Sequence, residues 1–288
     1  MVAMAGIILL VQIFAILLAM PMEVNDMRAF EDPTAATNSL YYIGVILVFT
    51  LVLLVAIKKN MKWIIQLFIF FAVASTLYFV FYAFLSFTST PAEINNLVSL
   101  LLSAGLTVLL YKFPEWYVID IIGLMIGAGA SAIFGISLAV MPTILLLVIL
   151  AVYDAISVYK TKHMLDLAEG VMDLKLPILF VIPKHLKYSF RNETFSKEED
   201  EEREAFFMGL GDAVMPTILV VSANTFIAHT GFISYPAIGA MIGTIIGFFA
   251  LSILVMKGKP QAGLPFLNSG VILGYVIASL LAGTPLLG

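Results

Sequence analysis

The 288 residues contain no cysteine, which excludes disulfides, a CxxC redox pair and a thiolate zinc site. Charge is scarce as well. Asp, Glu, Lys and Arg make up 12% of the chain, about half the ~25% of a soluble domain, while 61% is hydrophobic. Such a chain does not take water as its solvent. Histidine occurs only at 163, 185 and 229, two in one polar loop and one at the far end of a helix, so no metal site and no cofactor are expected. No nucleic-acid partner is expected either.

What is present is a series of apolar stretches of roughly twenty residues, the length that crosses a ~30 Å hydrocarbon core. Reading apolar runs against charged breaks gives nine transmembrane helices: 2–20, 39–57, 63–88, 97–111, 117–134, 138–159, 208–227, 235–256 and 267–281. The fold class is an all-α, multi-pass integral membrane protein, with 1–288 as one domain embedded in the lipid bilayer. Residues 117–159 are divided in two on length and on the Gly135, Ser137 punctuation. The first stretch lacks a basic n-region and outruns the usual h-region of about 7–15 residues, so it is read as a retained helix rather than a cleaved signal.

Orientation follows from basic residues. With the amino terminus in the cytoplasm, the inside loops hold Lys58, Lys59, Lys62, Lys112, eight basic residues in 160–203, Lys257 and Lys259, and only Arg28 is outside. The one long polar stretch, 160–205, is then a cytoplasmic loop between the sixth and seventh helices. Within it, 163–173 has helical apolar spacing and is expected to lie at the interface, and 178–182 reads as a strand between Pro177 and Pro183. Six acids in 198–204 make the end of the loop mobile and solvated. The sequon at Asn192 falls on the cytoplasmic side and is read as unused.

Of the nineteen acidic residues, three fall within spans: Asp120, Asp154 and Asp212. A carboxylate near the bilayer centre costs on the order of 3 kcal/mol, so each needs a reason. Asp120 lies about one turn from Trp116 and is read as an ordinary helix-end carboxylate. Asp154 is six residues before Lys160, roughly 9 Å inside the membrane edge, and Asp212 follows Glu204 by eight, roughly 12 Å. The two lie at similar depth on consecutive antiparallel spans. Two close carboxylates in low dielectric share one proton, which makes one a base and the other an acid. That division suits hydrolysis of a peptide bond by an activated water.

The surroundings of Asp212 fit close backbone approach. Gly209 and Gly211 stand where the seventh helix enters the membrane, and Pro216 cannot donate to the carbonyl of Asp212, so a bend beside the acid is expected. Gly239, Gly243 and Gly247 form a stripe on the eighth helix that reads as helix packing.

Tyr153-Asp154 and Gly209-Leu210-Gly211-Asp212 resemble the YD and GxGD signatures of presenilins and signal peptide peptidases. The resemblance covers most of the chain, and a prokaryotic presenilin homologue fits it best. It implies an intramembrane aspartyl protease with Asp154 and Asp212 catalytic, and with Tyr153, Gly209, Leu210, Gly211 and Pro216 shaping the site. The family's Pro-Ala-Leu motif is matched by Pro265-Phe266-Leu267, with phenylalanine in place of alanine. The resemblance implies a substrate-binding role for these three. Single-span membrane proteins or signal-peptide-like segments are the implied substrates, cleaved toward the cytoplasmic side; no oligomeric state follows. Basic asymmetry favours a presenilin-like orientation, whereas Pro216 and the 177–183 segment resemble signal peptide peptidases. Two rival readings are a prepilin-type GxGD peptidase and a proton- or cation-coupled transporter built on the same acid pair.

Overall fold

The computed structural model describes residues 1–59, 61–88, 90–161, 179–185, 188–190, 204–256 and 261–286. Among them are nine apolar helices: α1 (Val2–Val24), α2 (Thr37–Lys58), α3 (Lys62–Leu85), α4 (Ala92–Lys112), α5 (Trp116–Ser137), α6 (Val140–Ile156), α7 (Leu210–Phe226), α8 (Tyr235–Val255) and α9 (Gly263–Ala282). A π-helical turn, Ser157–Thr161, prolongs α6. Eight of the nine, α6 counted with that turn, are long and apolar enough to cross a membrane; α7, at 17 residues, is shorter.

The expectation of an all-α chain is corrected by a small antiparallel hairpin, β1 (Leu179–Pro183) and β2 (Ala205–Gly209), in which Val181 faces Phe207. The strand read at 178–182 forms as β1. Its partner β2 takes in residues 208 and 209, expected to begin the seventh helix, which starts instead at Leu210. The interfacial helix expected at 163–173, the sequon at Asn192 and the acidic run up to residue 203 lie outside the described residues.

Lipid tails are as apolar as leucine, so burial alone does not hold these helices together; close packing at small residues and interhelical hydrogen bonds do. On α5, a Cβ added at Gly135 would stand 2.5 Å from Val221 of α7, and one at Gly129 would stand 2.3 Å from Val80 of α3. The stripe on α8 meets a second stripe on α9. A Cβ at Gly243 would stand 2.1 Å from the carbonyl oxygen of Gly270, and one at Gly274 would stand 2.1 Å from that of Gly239. Backbone therefore rests on backbone along this pair.

Buried polar groups pin the remaining joints. Ser39 Oγ donates to the Pro142 carbonyl at 2.6 Å, Ser222 Oγ to that of Leu138 at 2.7 Å, and Asn268 Nδ2 to that of Leu147 at 2.9 Å. The last bond ties α9 to α6 about two turns from Asp154. The corner between α5 and α6 falls at Leu138–Ala139, where the Ala139 N–H donates to the Pro33 carbonyl at 2.9 Å. α4 starts at Ala92, earlier than the apolar run alone indicates, because its polar first turns find partners; Asn95 is buried and Asn96 accepts from Tyr78 Oη at 2.5 Å.

Candidate active site

Asp154 lies in the last turn of α6, 6% exposed, while its neighbours Val152 and Ile156 face outward at 55% and 48%. The acid thus points into the helix bundle and the apolar residues point to lipid. Asp212 lies in the first turn of α7, immediately after β2, and is partly exposed. In a first turn the backbone N–H groups lack intrahelical acceptors, so an acid there is favourably placed.

Both carboxylates meet the start of α9. Asp154 Oδ2 accepts the backbone N–H of Leu264 at 3.1 Å, and the N–H of Gly263 is directed at the same group. The Asp212 carboxylate rests on Gly263 itself, so closely that a Cβ there would stand 2.8 Å from Oδ1 and 3.1 Å from Cγ. The two acids are near enough to interact electrostatically. α6, α7 and α9 therefore converge on one point, with the positive end of the α9 dipole turned toward Asp154.

Tyr159 holds that convergence from the π-helical turn after α6. Its Oη donates to Gln261 Oε1 at 2.9 Å and accepts the Ala262 N–H at 3.3 Å, tying the π-helical turn to the residues that enter α9. Among the described residues no group of three or more His, Asp or Glu is arranged to hold a metal ion.

The other residues singled out by sequence sit as follows. Tyr153 precedes Asp154 and is partly buried. Gly209 ends β2 in an extended conformation, φ −60°, ψ 136°, and a Cβ there would lie 3.4 Å from Asp212 Oδ2, an ordinary contact. A Cβ at Gly211 would meet open space. Leu210 packs against Gly127 of α5, 3.4 Å from its Cβ position. α7 continues through the buried Pro216. α9 begins two residues before Pro265, which is the third residue of its first turn, where an N–H has no intrahelical acceptor to lose. Leu267 is fully buried in a cluster with Phe180, Met208 and Phe248, and the Phe266 carbonyl lies 2.5 Å from a Cβ placed at Gly247. The Pro265–Leu267 segment thus packs beneath the hairpin and against α8.

Sequence reasoning missed Gly263, Leu264 and Tyr159. The signal was Ala262-Gly263-Leu264-Pro265, a helix start with proline in its first turn and a glycine for close approach, which creates an anion-facing helix N-terminus. It was also silent on Asp120 as a partner of β1, whose Val181 N–H it accepts at 2.7 Å.

Residues 5–284 match the family model for signal-peptide peptidase, presenilin aspartyl protease. Two solved structures of a presenilin family intramembrane aspartate protease, in space groups C222 and P2, are similar to the chain at 41% identity and a TM-score of 0.73. The match covers 97% of this chain and 98% of the C222 structure, and 98% of each for the P2 structure. Among curated proteins, none matches significantly.

Proposed function

Because the chain belongs to the signal-peptide peptidase and presenilin family and is an intramembrane aspartic endopeptidase, we propose that Asp154 and Asp212 are its catalytic dyad, acting at the cytoplasmic face of a nine-span, amino-terminus-inside protein. The observation that carries this is the convergence of both carboxylates on Gly263 and Leu264. A family match over residues 5–284, not only at 209–212, disfavours the prepilin-type and transporter readings.

In the proposed reaction the pair holds one proton. The ionised carboxylate takes a proton from water as the oxygen attacks the scissile carbonyl carbon, and the protonated one donates to the carbonyl oxygen, giving a gem-diol. Collapse then breaks the C–N bond: the leaving nitrogen takes the proton from the protonated carboxyl, and one gem-diol hydroxyl gives its proton to the ionised carboxylate, so the dyad again holds one proton. The Leu264 N–H hydrogen-bonds Asp154 and holds it in place through the cycle, which is the kind of fixed, preorganised support that electrostatic catalysis requires.

A helical substrate hides its carbonyls, so it must unwind locally before attack. The open space beside Gly211 lies next to Asp212, and the extended backbone of β2 runs directly into it. We place the unwound substrate along this hairpin-to-α7 segment, with Leu267 and the buried Phe180 forming the floor beneath it. Single-span membrane proteins and signal-peptide-like segments supply such chains.

Orientation is supported by charge. Lys58 and Lys59 close α2, Lys62 opens α3, Lys112 closes α4 and Lys160 follows α6, so alternating spans bring them to one end, the end that holds the dyad. Release of fragments from a single-span peptide by the purified protein in liposomes, without coupled ion flux, tests the reading. Flux without cleavage would contradict it.

A further inference from the structure

We propose that Asp120 is a positioning residue of the protease: its carboxylate seats β1, and through it the segment carrying Asp212, for docking of the substrate chain. This rests on the reading that substrate lies along the hairpin.

One face of α5 presents Asp120, Gly123 and Gly127, at the i, i+3, i+7 spacing of a single helical stripe. Asp120 and Gly123 receive β1, and Gly127 receives the start of α7, where β2 runs into the segment carrying Asp212. Asp120 Oδ1 accepts the Val181 N–H at 2.7 Å. Gly123 lies under Phe180, whose ring would stand 3.2 Å from a Cβ there, and Gly127 lies under Leu210, 3.4 Å from its Cβ position. Leu210 is two residues before Asp212. The seat of the hairpin on α5 therefore sets where Gly211 and Asp212 stand.

The register shows why a carboxylate serves here. The Lys184 N–H donates to the Glu204 carbonyl at 2.8 Å, next to the Pro183–Ala205 pair, so ladder bonds fall at alternate positions and Val181, opposite Phe207, is a non-hydrogen-bonded position. Its N–H points off the ladder, away from β2. An exposed donor on that edge would be a template for an incoming strand, and Asp120 occupies it. The carboxylate thereby anchors the hairpin and directs an extended substrate away from the outer edge of β1. An acceptor oxygen is the property required, and asparagine offers one in the same place.

The test uses purified full chain, a single-span peptide substrate, and separate measurement of KM and kcat on protein whose melting temperature shows it to be folded. Asp120→Leu is expected to raise KM by about fivefold or more and, because the seat also sets where Asp212 stands, to lower kcat by a smaller factor, while Asp120→Asn restores both to within about twofold of the parent. Val181→Pro deletes the donor at a position outside the ladder, where proline is tolerated. It should reproduce the KM rise, and the Asp120→Leu, Val181→Pro double variant should add less than about twofold, because one interaction is lost only once. An unchanged KM in Asp120→Leu, an Asp120→Asn variant as impaired as leucine, or an additive double variant would each overturn the proposal while cleavage by the parent left the protease reading intact. Should Asp120→Leu not fold, Val181→Pro decides alone. Absence of cleavage by the parent would instead remove the reading on which the proposal rests.

Discussion

The Asp212 carboxylate rests against the Cα of Gly263, where a Cβ would stand 2.8 Å from Oδ1. Helix α7 thus delivers its acid onto the first residue of α9, the residue before the N–H that holds Asp154. Gly263→Ala is expected to displace Asp212 by several tenths of an ångström or more, and misplacement of a reacting group by about 1 Å costs on the order of 100-fold. A kcat reduced by roughly 10- to 100-fold, with an unchanged melting temperature, is the expected result. Activity equal to the parent would show that the contact does not position the acid.

The interlocked glycines of α8 and α9 should matter for stability. Gly243→Ala would bring a Cβ to 2.1 Å from the Gly270 carbonyl oxygen, and Gly274→Ala would do the same against Gly239. Backbone cannot yield as a side-chain tip does, so the helices must separate, at about 1–3 kcal/mol per substitution on the scale of overpacked cores. Gly6→Ala, where a Cβ meets open space, serves as the neutral control. Thermal melting in one detergent checks both, with a fall expected for the first two only.

The topology is tested by labelling of single cysteines, straightforward in a chain that has none. Residues 59 and 160 should react only from the cytoplasmic side, and residue 28 only from the outside. On the proposed topology Arg28 is the one basic residue outside, and it pairs with Glu23 at the end of α1. Outside labelling at 59 or 160 would reverse the orientation and the side of the active site.

The helices were legible because membrane spans are long and uniformly apolar, and the nine apolar runs correspond to nine helices among the described residues. Asp154 and Asp212 stood out because an acid inside such a run is costly and needs a reason. The hairpin was half legible. β1 lay between prolines and read as a strand, but the residues of β2, Ala205–Gly209, continue an apolar helix without a break, and only pairing with β1 makes them extended. Gly263 and Leu264 escaped notice because their contribution is backbone: a missing Cβ, and a first-turn N–H that donates to Asp154 instead of to an intrahelical carbonyl. Asp120 was seen but read as a helix-end group, since its partner is the Val181 amide, 61 residues away, and no local pattern records a contact of that range.

The central claim is that one carboxylate from α6 and one from α7 act together on water and the scissile carbonyl. Replacing either by its amide keeps the shape and removes one member of the acid–base pair. The direct measurement is the rate of fragment release from a single-span peptide by Asp154→Asn and by Asp212→Asn, each beside the parent and each with its melting temperature recorded. The account predicts that both variants remain folded and that turnover falls in each by at least about 1,000-fold, as expected when groups act as a unit. Parent-like cleavage by either folded variant would contradict it.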